Sequence, residues 1–113
     1  MAAAIPVTLS PSPATAGQKL AHPQAANGTS ITPDTLFGWS LNEATGSALA
    51  KVRLHDGATS AGAELGVAEM AAGAPSQVVL PPAQVMSGDV YLEVVFGSVE
   101  GVVFLGGGGA GID

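Results

Sequence analysis

At 113 residues the chain is one domain at most, and only 11% of it is charged, against about 25% in a typical soluble domain. Net charge is −6, with Lys19, Lys51 and Arg53 as the only lysines and arginines, so the clustered cations of a nucleic-acid surface are excluded. There is no cysteine, which excludes disulfide staples and thiolate metal sites.

Residues 1–34 differ in composition from the rest of the chain. Pro6, Pro11, Pro13, Pro23 and Pro33 break any helix and block central-strand pairing, with Ala, Ser, Thr and Gly between them. This composition predicts an extended arm outside the core, either loose or ordered on a neighbouring subunit. Ile5, Val7 and Leu9 alternate, as a strand added to a neighbour would. The opening MAAAIPVTL lacks the basic flank and long apolar run of a signal peptide. No apolar run reaches the roughly 18 residues of a membrane span. Synthesis in the cytoplasm, with no membrane partner, is the expectation.

From Thr35 the pattern has period two. Phe37, Trp39 and Leu41 alternate with Leu36, Gly38 and Ser40, and Trp39 reads as a core anchor. Asn42–Ser47 is turn-rich. Ala48, Ala50, Val52 and Leu54 then alternate with Leu49, Lys51, Arg53 and His55, up to an Asp56-Gly57 turn. Residues 58–62 form a small-residue loop. Glu64–Ala71 suits strand or helix, and its short length and glycine-rich flanks favour strand. Gln77–Leu80 is a short strand stopped by Pro81-Pro82, and Val85-Met86 a brief pairing. Gly106–Asp113 reads as a flexible tail.

Asp89–Leu105 predicts a hairpin. Gly97-Ser98 separates two alternating apolar runs, and Gly suits the first central position of a type II′ turn. In that register Phe96 pairs with Val99 and Leu92 with Val103. Val90, Leu92, Val94 and Phe96 would face the core with Val99, Gly101, Val103 and Leu105. The other face would gather Tyr91, Val95, Val102 and Phe104 beside Glu93 and Glu100. That face is too apolar for a freely solvated surface and is either covered within the chain or a subunit interface. Lys51 and Arg53 could pair with those two acids.

The whole gives about six or seven short strands with turns every eight to twelve residues. That spacing predicts an all-β fold, a small antiparallel β-sandwich or barrel over residues 35–105. So thin a core invites oligomerisation.

The sequence offers little chemistry. His22 and His55 do not make a histidine-rich metal site, and no metal-ligand spacing appears. His55-Asp56 reads as an exposed turn rather than part of a triad. Gly106–Gly111 lacks the Lys and Ser/Thr of a phosphate loop. Glu93 and Glu100 would lie diagonally on the hairpin with no aromatic sugar platform, unlike a glycosidase pair. The Asn27-Gly28-Thr29 sequon reads as chance. No enzymatic activity, cofactor or metal is expected.

The segment LFGWSLNEATGSALAKVRLHDG, Leu36–Gly57, resembles one found in small structural proteins of tailed-bacteriophage virions. DVYLEVVFGSVEGVVFL, Asp89–Leu105, looks like the closing strands of the same module. The resemblance covers residues 35–105. It implies a capsid decoration or head accessory protein on the outer capsid surface, with the major capsid protein as partner and a homo-oligomer, a trimer first, as its form. The interface would then draw on Tyr91, Val95, Val102, Phe104, Ile5, Val7 and Leu9. A tail or head-fibre module that binds a host-surface glycan or protein is the alternative, although its loops are poor in Tyr, Trp and Arg.

Overall fold

The period-two stretches are strands, and so are two pieces of the proline-rich N-terminus. The computed structural model describes residues 4–107. In chain order the strands are β1 (Ile5–Thr8), β2 (Gln18–Lys19), β3 (Thr35–Glu43), β4 (Ala50–Asp56), β5 (Ala63–Met70), β6 (Pro75–Gln84), β7 (Val90–Phe96) and β8 (Val99–Gly106). No helix occurs among the described residues. The fold is all-β, as the turn spacing predicts.

Two antiparallel four-stranded sheets face each other. Sheet A has the order β1-β8-β3-β6, and sheet B the order β2-β7-β4-β5. The pairing is nested: β1 with β8, β2 with β7, β3 with β6 and β4 with β5, alternating between the sheets. This is the topology of a jelly roll, two Greek keys wrapped into a sandwich.

The hairpin expected at Gly97-Ser98 does not form. β7 pairs with β2 and β4, whereas β8 pairs with β1 and β3. Gly97-Ser98 is a corner between sheets. Gly97 takes φ +91°, and a Cβ there would stand 2.5 Å from the Leu49 carbonyl oxygen, so the corner requires glycine. The inward stripes are otherwise as read. Val90 and Leu92 of β7 are buried, as are Val99, Val103 and Leu105 of β8. They line opposite walls of one core, so each sheet covers the other's apolar face. Phe96 departs from its stripe. Val52 pairs with Val94 but Lys51 with Phe96, so Val95 is an extra residue, and the bulge turns Phe96 outward to 47% exposure.

The expected arm is part of the sandwich. Val7, Leu9, Ala14, Leu20 and Ile31 are buried, and β1 and β2 are edge strands. Proline is tolerated there because an edge strand leaves one side of its backbone unpaired. β6 likewise runs through Pro81-Pro82, where a register shift opposite Leu36–Gly38 absorbs the extra residues. Val85 is buried outside any strand, its amide donating to the Asp34 carbonyl at 2.8 Å. Gly106 closes β8 rather than opening a tail, Gly107 is buried after it, and residues 108–113 lie outside the described residues.

Trp39 joins the sheets. It is 3% exposed, and its indole Nε1 donates to Ser76 Oγ at 3.0 Å. The ring reaches across to β5, where a Cβ on Gly66 would lie 2.9 Å from Trp39 Cζ3. A large ring on one sheet therefore fits an absent side chain on the other.

Candidate interaction faces

Each sheet keeps one face for the core and turns the other outward, and the two outer faces differ in chemistry. On sheet B the register sets out three rows across β7, β4 and β5. They read Phe96–Lys51–Glu69, Glu93–Arg53–Val67 and Tyr91–His55–Glu64, with Lys19 of β2 beside Tyr91. All three lysines and arginines of the chain stand on this sheet. Lys51 Nζ lies 3.6 Å from Glu69, and Arg53 Nε lies 3.5 Å from Glu64. Lys19 and His22 both approach Asp89, at 3.9 and 2.9 Å. Lys51 and Arg53 thus take partners on β5, not the expected Glu93 and Glu100. Exposed pairs of this kind contribute about 0–1 kcal/mol each.

His55 is not an exposed turn residue. The β4–β5 register shift beside it leaves it 6% exposed. Its Nδ1 lies 2.9 Å from the Gly62 carbonyl, an acceptor only, so Nδ1 carries a proton and donates it. Its Nε2 lies 2.8 Å from Glu93 Oε1. Asp56 points elsewhere and accepts the amides of Met86 and Ser87, each at 2.9 Å. Burial works to raise the Asp56 carboxyl, but the Ser87 and Met86 hydrogen bonds outweigh it and lower it below its usual range.

Glu43 is a residue the sequence reading missed. It ends β3 facing inward, opposite Val99, and is 1% exposed. Its Oε2 accepts the Thr45 hydroxyl at 2.7 Å and the Thr45 amide at 3.0 Å. Its Oε1 accepts the amides of Gly46 at 2.7 Å and Gly73 at 2.9 Å. The Thr45 hydroxyl, helped by those amides, overcomes the opposing effect of burial and brings the carboxyl down to about 2. One carboxylate thereby ties the β3–β4 loop to the β5–β6 turn. In sequence it looked like any acid in a turn-rich stretch, and only the β3–β8 register reveals its inward direction.

The outer face of sheet A is of another kind. Two rows cross all four strands: Pro6–Phe104–Gly38–Val79 and Thr8–Val102–Ser40–Gln77. Neither row contains a charge. Val79 is 92% exposed, and Phe104 and Val102 are half-buried. Gln77 Nε2 donates to Ser40 Oγ at 3.3 Å. Glu100 stands at one end of the face, opposite Asn42.

No protein-family model matches the chain, and neither does any curated protein or solved structure.

The seven residues marked as a candidate interface therefore separate. Tyr91 and Val95 lie on sheet B, and Val102 and Phe104 on sheet A, on opposite sides of the sandwich. They part because the hairpin that would have joined them is a corner between sheets. Tyr91 is partly covered by the β1–β2 connection, where its ring fills the space a side chain on Gly17 would need. Val7 and Leu9 are core residues, and Ile5 is half-buried opposite inward-facing Leu105. Val79 joins Val102 and Phe104; its strand was read, but only the β3–β6 register sets it on this face.

A groove of about 530 Å³ opens between the edges of β1 and β2, lined by Thr8, Ser10, Gln18, Lys19, His22 and Ser30 among others. Among the described residues no cluster of three or more His, Asp or Glu side chains could hold a metal ion. No helix among them is long and apolar enough to cross a membrane.

Proposed function

We propose that this is a non-enzymatic structural protein of a tailed-bacteriophage virion, a capsid decoration or cementing protein. It lays the outer face of sheet A on the major capsid shell in many copies and turns sheet B to solvent. The observation that carries this reading is the pair of charge-free rows across sheet A, centred on Phe104 and Val102, opposite a face whose charges are paired for water. The resemblance of Leu36–Gly57 and Asp89–Leu105 to phage structural proteins supports it. The jelly-roll topology is compatible, since viral capsid domains use it, but lectins and cupins use it too, so the fold alone does not decide.

The size of the face suits the mechanism. Four strands spaced about 4.8 Å apart and roughly 25 Å long present about 500 Å². A copy seated there buries on the order of 1,000 Å² in total, at the low end of specific interfaces. One such contact is modest, and many on a repeating shell act together through avidity.

The second reading is a tail or head-fibre module that binds a host-surface glycan or protein. The hydroxyl-lined groove between β1 and β2 favours it, with Lys19 and His22 at its wall. Co-sedimentation separates the two. The protein should pellet with capsids of the phage whose genome encodes it, and Phe104→Asp should abolish that. Binding to host cells but not to capsids, unaffected by Phe104→Asp, would replace the first reading with the second.

A further inference from the structure

We infer that the free edge of β5 pairs with the β5 of a second copy, giving a two-fold dimer with one continuous eight-stranded sheet. The inference concerns a different surface from shell binding and does not depend on that reading.

Four strands lie at sheet edges. An exposed edge is a template for another strand, and proteins guard edges by shortening them or by placing proline or unpaired charges on them. β1 has 4 residues and contains Pro6, and β2 has 2 residues. β6 contains Pro75, Pro81 and Pro82. β5 has 8 residues and no proline, and past its bulge at Leu65 it offers Gly66–Met70 as a regular edge. It does carry Glu64 and Glu69, but these lean back onto Arg53 and Lys51 of β4, at 3.5 and 3.6 Å. Those pairs draw the two carboxylates back over β4 without cancelling their charge, so a second strand fits only in a register that keeps carboxylates apart.

Two further observations point to a copy of this chain as the occupant. Exposed apolar residues lie on this side of the sheet: Val67 on the edge strand at 38%, Leu49 just before β4 at 62% and Phe96 two strands in, on β7, at 47%. Leu49 and Phe96 flank a hollow of about 170 Å³ lined also by Ala50, Glu69, Met70 and Ala71, so the apolar surface reaches the end of the edge strand. Charge also selects a register. An antiparallel pairing centred on Ala68 sets Val67 opposite Glu69 of the other copy, and Gly66 opposite Met70, with no two carboxylates facing. A two-fold antiparallel pair keeps outward residues opposite outward ones, and the next such register, centred on Glu69, would set the two copies' Glu69 face to face and is disfavoured. The result is a dimer in place of the trimer that the resemblance implies.

The test is the solution mass of the full chain by light scattering, with a thermal melt of each variant. Wild type should have twice the monomer mass. Val67→Glu should halve that mass, because it sets a carboxylate against Glu69 across the seam, while Arg53 opposite it in the same chain supports the fold. Val67→Lys should keep the dimer. Phe104→Asp should keep it too, so loss of shell binding and loss of dimerisation are told apart. A monomeric or trimeric wild type, or a Val67→Glu variant that stays dimeric, overturns the proposal. Should Val67→Glu fail to melt cooperatively, hydrogen exchange on wild type decides. β5 amides should become more protected as protein concentration rises, and concentration-independent exchange there overturns the proposal.

Discussion

Glu43 Oε1 accepts the amide of Gly73 at 2.9 Å, a contact spanning 30 residues of sequence. The same carboxylate holds Thr45 and Gly46, so its ionisation and the closure of that end of the sandwich are linked. Its folded pKa of about 2 lies below the ordinary 4.5. A depressed carboxylate adds stability that is complete above 4.5 and is lost as pH falls toward 2. Glu43→Gln puts an NH₂ donor where an acceptor is needed. Its melting temperature should be clearly below wild type at pH 7, and the gap should close near pH 2. A gap that stays constant across that range would mean that the carboxylate's charge is not what holds the loops.

Trp39 and Gly66 should behave as one unit. Gly66→Val forces methyl groups into the indole and should cost about 1–3 kcal/mol in urea unfolding. Paired with Trp39→Phe, part of that cost should return, because the smaller ring vacates the space. Strict additivity in the double-mutant cycle would show that the two do not share packing.

Phe104→Asp and Val102→Glu change outward residues of sheet A. Each should shift unfolding by no more than about 0.5–1 kcal/mol and yet remove capsid binding. Val95→Asp, on the opposite sheet, should leave capsid binding intact. A large stability loss in the sheet A variants would instead place Phe104 and Val102 among groups needed for the fold itself.

Deleting residues 1–20 should not release a folded core. The deletion takes away β1, β2 and the buried side chains of Leu9 and Leu20. Each buried Leu is worth about 1.5–3 kcal/mol, so the pair alone approaches the 5–15 kcal/mol total stability of an ordinary domain. Far-UV circular dichroism should lose its cooperative thermal transition. A truncated protein that melts as wild type would mean that the first strands contribute no net stability.

The inward stripes were legible in the sequence because alternation states which side chains share a face. Val90, Leu92, Val99, Val103 and Leu105 all point where the pattern put them. Partnership was not legible. Gly97-Ser98 has the chemistry of a hairpin turn, and the same two residues make a corner between sheets; only long-range register separates the two. Phe96 was misread because one extra residue at Val95 reverses everything beyond it. The N-terminus was misread because proline argues against central strands, whereas β1 and β2 are edges. The candidate face followed the same logic. Its two outward residues on β8 were found, its contribution from β6 depended on a β3–β6 pairing that the pattern does not reveal, and Tyr91 and Val95 were assigned to it only through the hairpin.

The nested pairing also has a kinetic consequence. Ile5 of β1 lies opposite Leu105 of β8, at nearly the greatest separation the described chain allows. Within sheet A only β3 and β6 can pair before β8 emerges, and β1 has no partner until then. On a ribosome the first strand must stay unpaired until the last has emerged. Off it, the chain must close its longest loop before that loop is rewarded by contacts. Slow, late folding is therefore built into the order of the strands. Pro6 within β1, whose other residues are strand formers, and the short length of the strand limit what the waiting segment can pair with first.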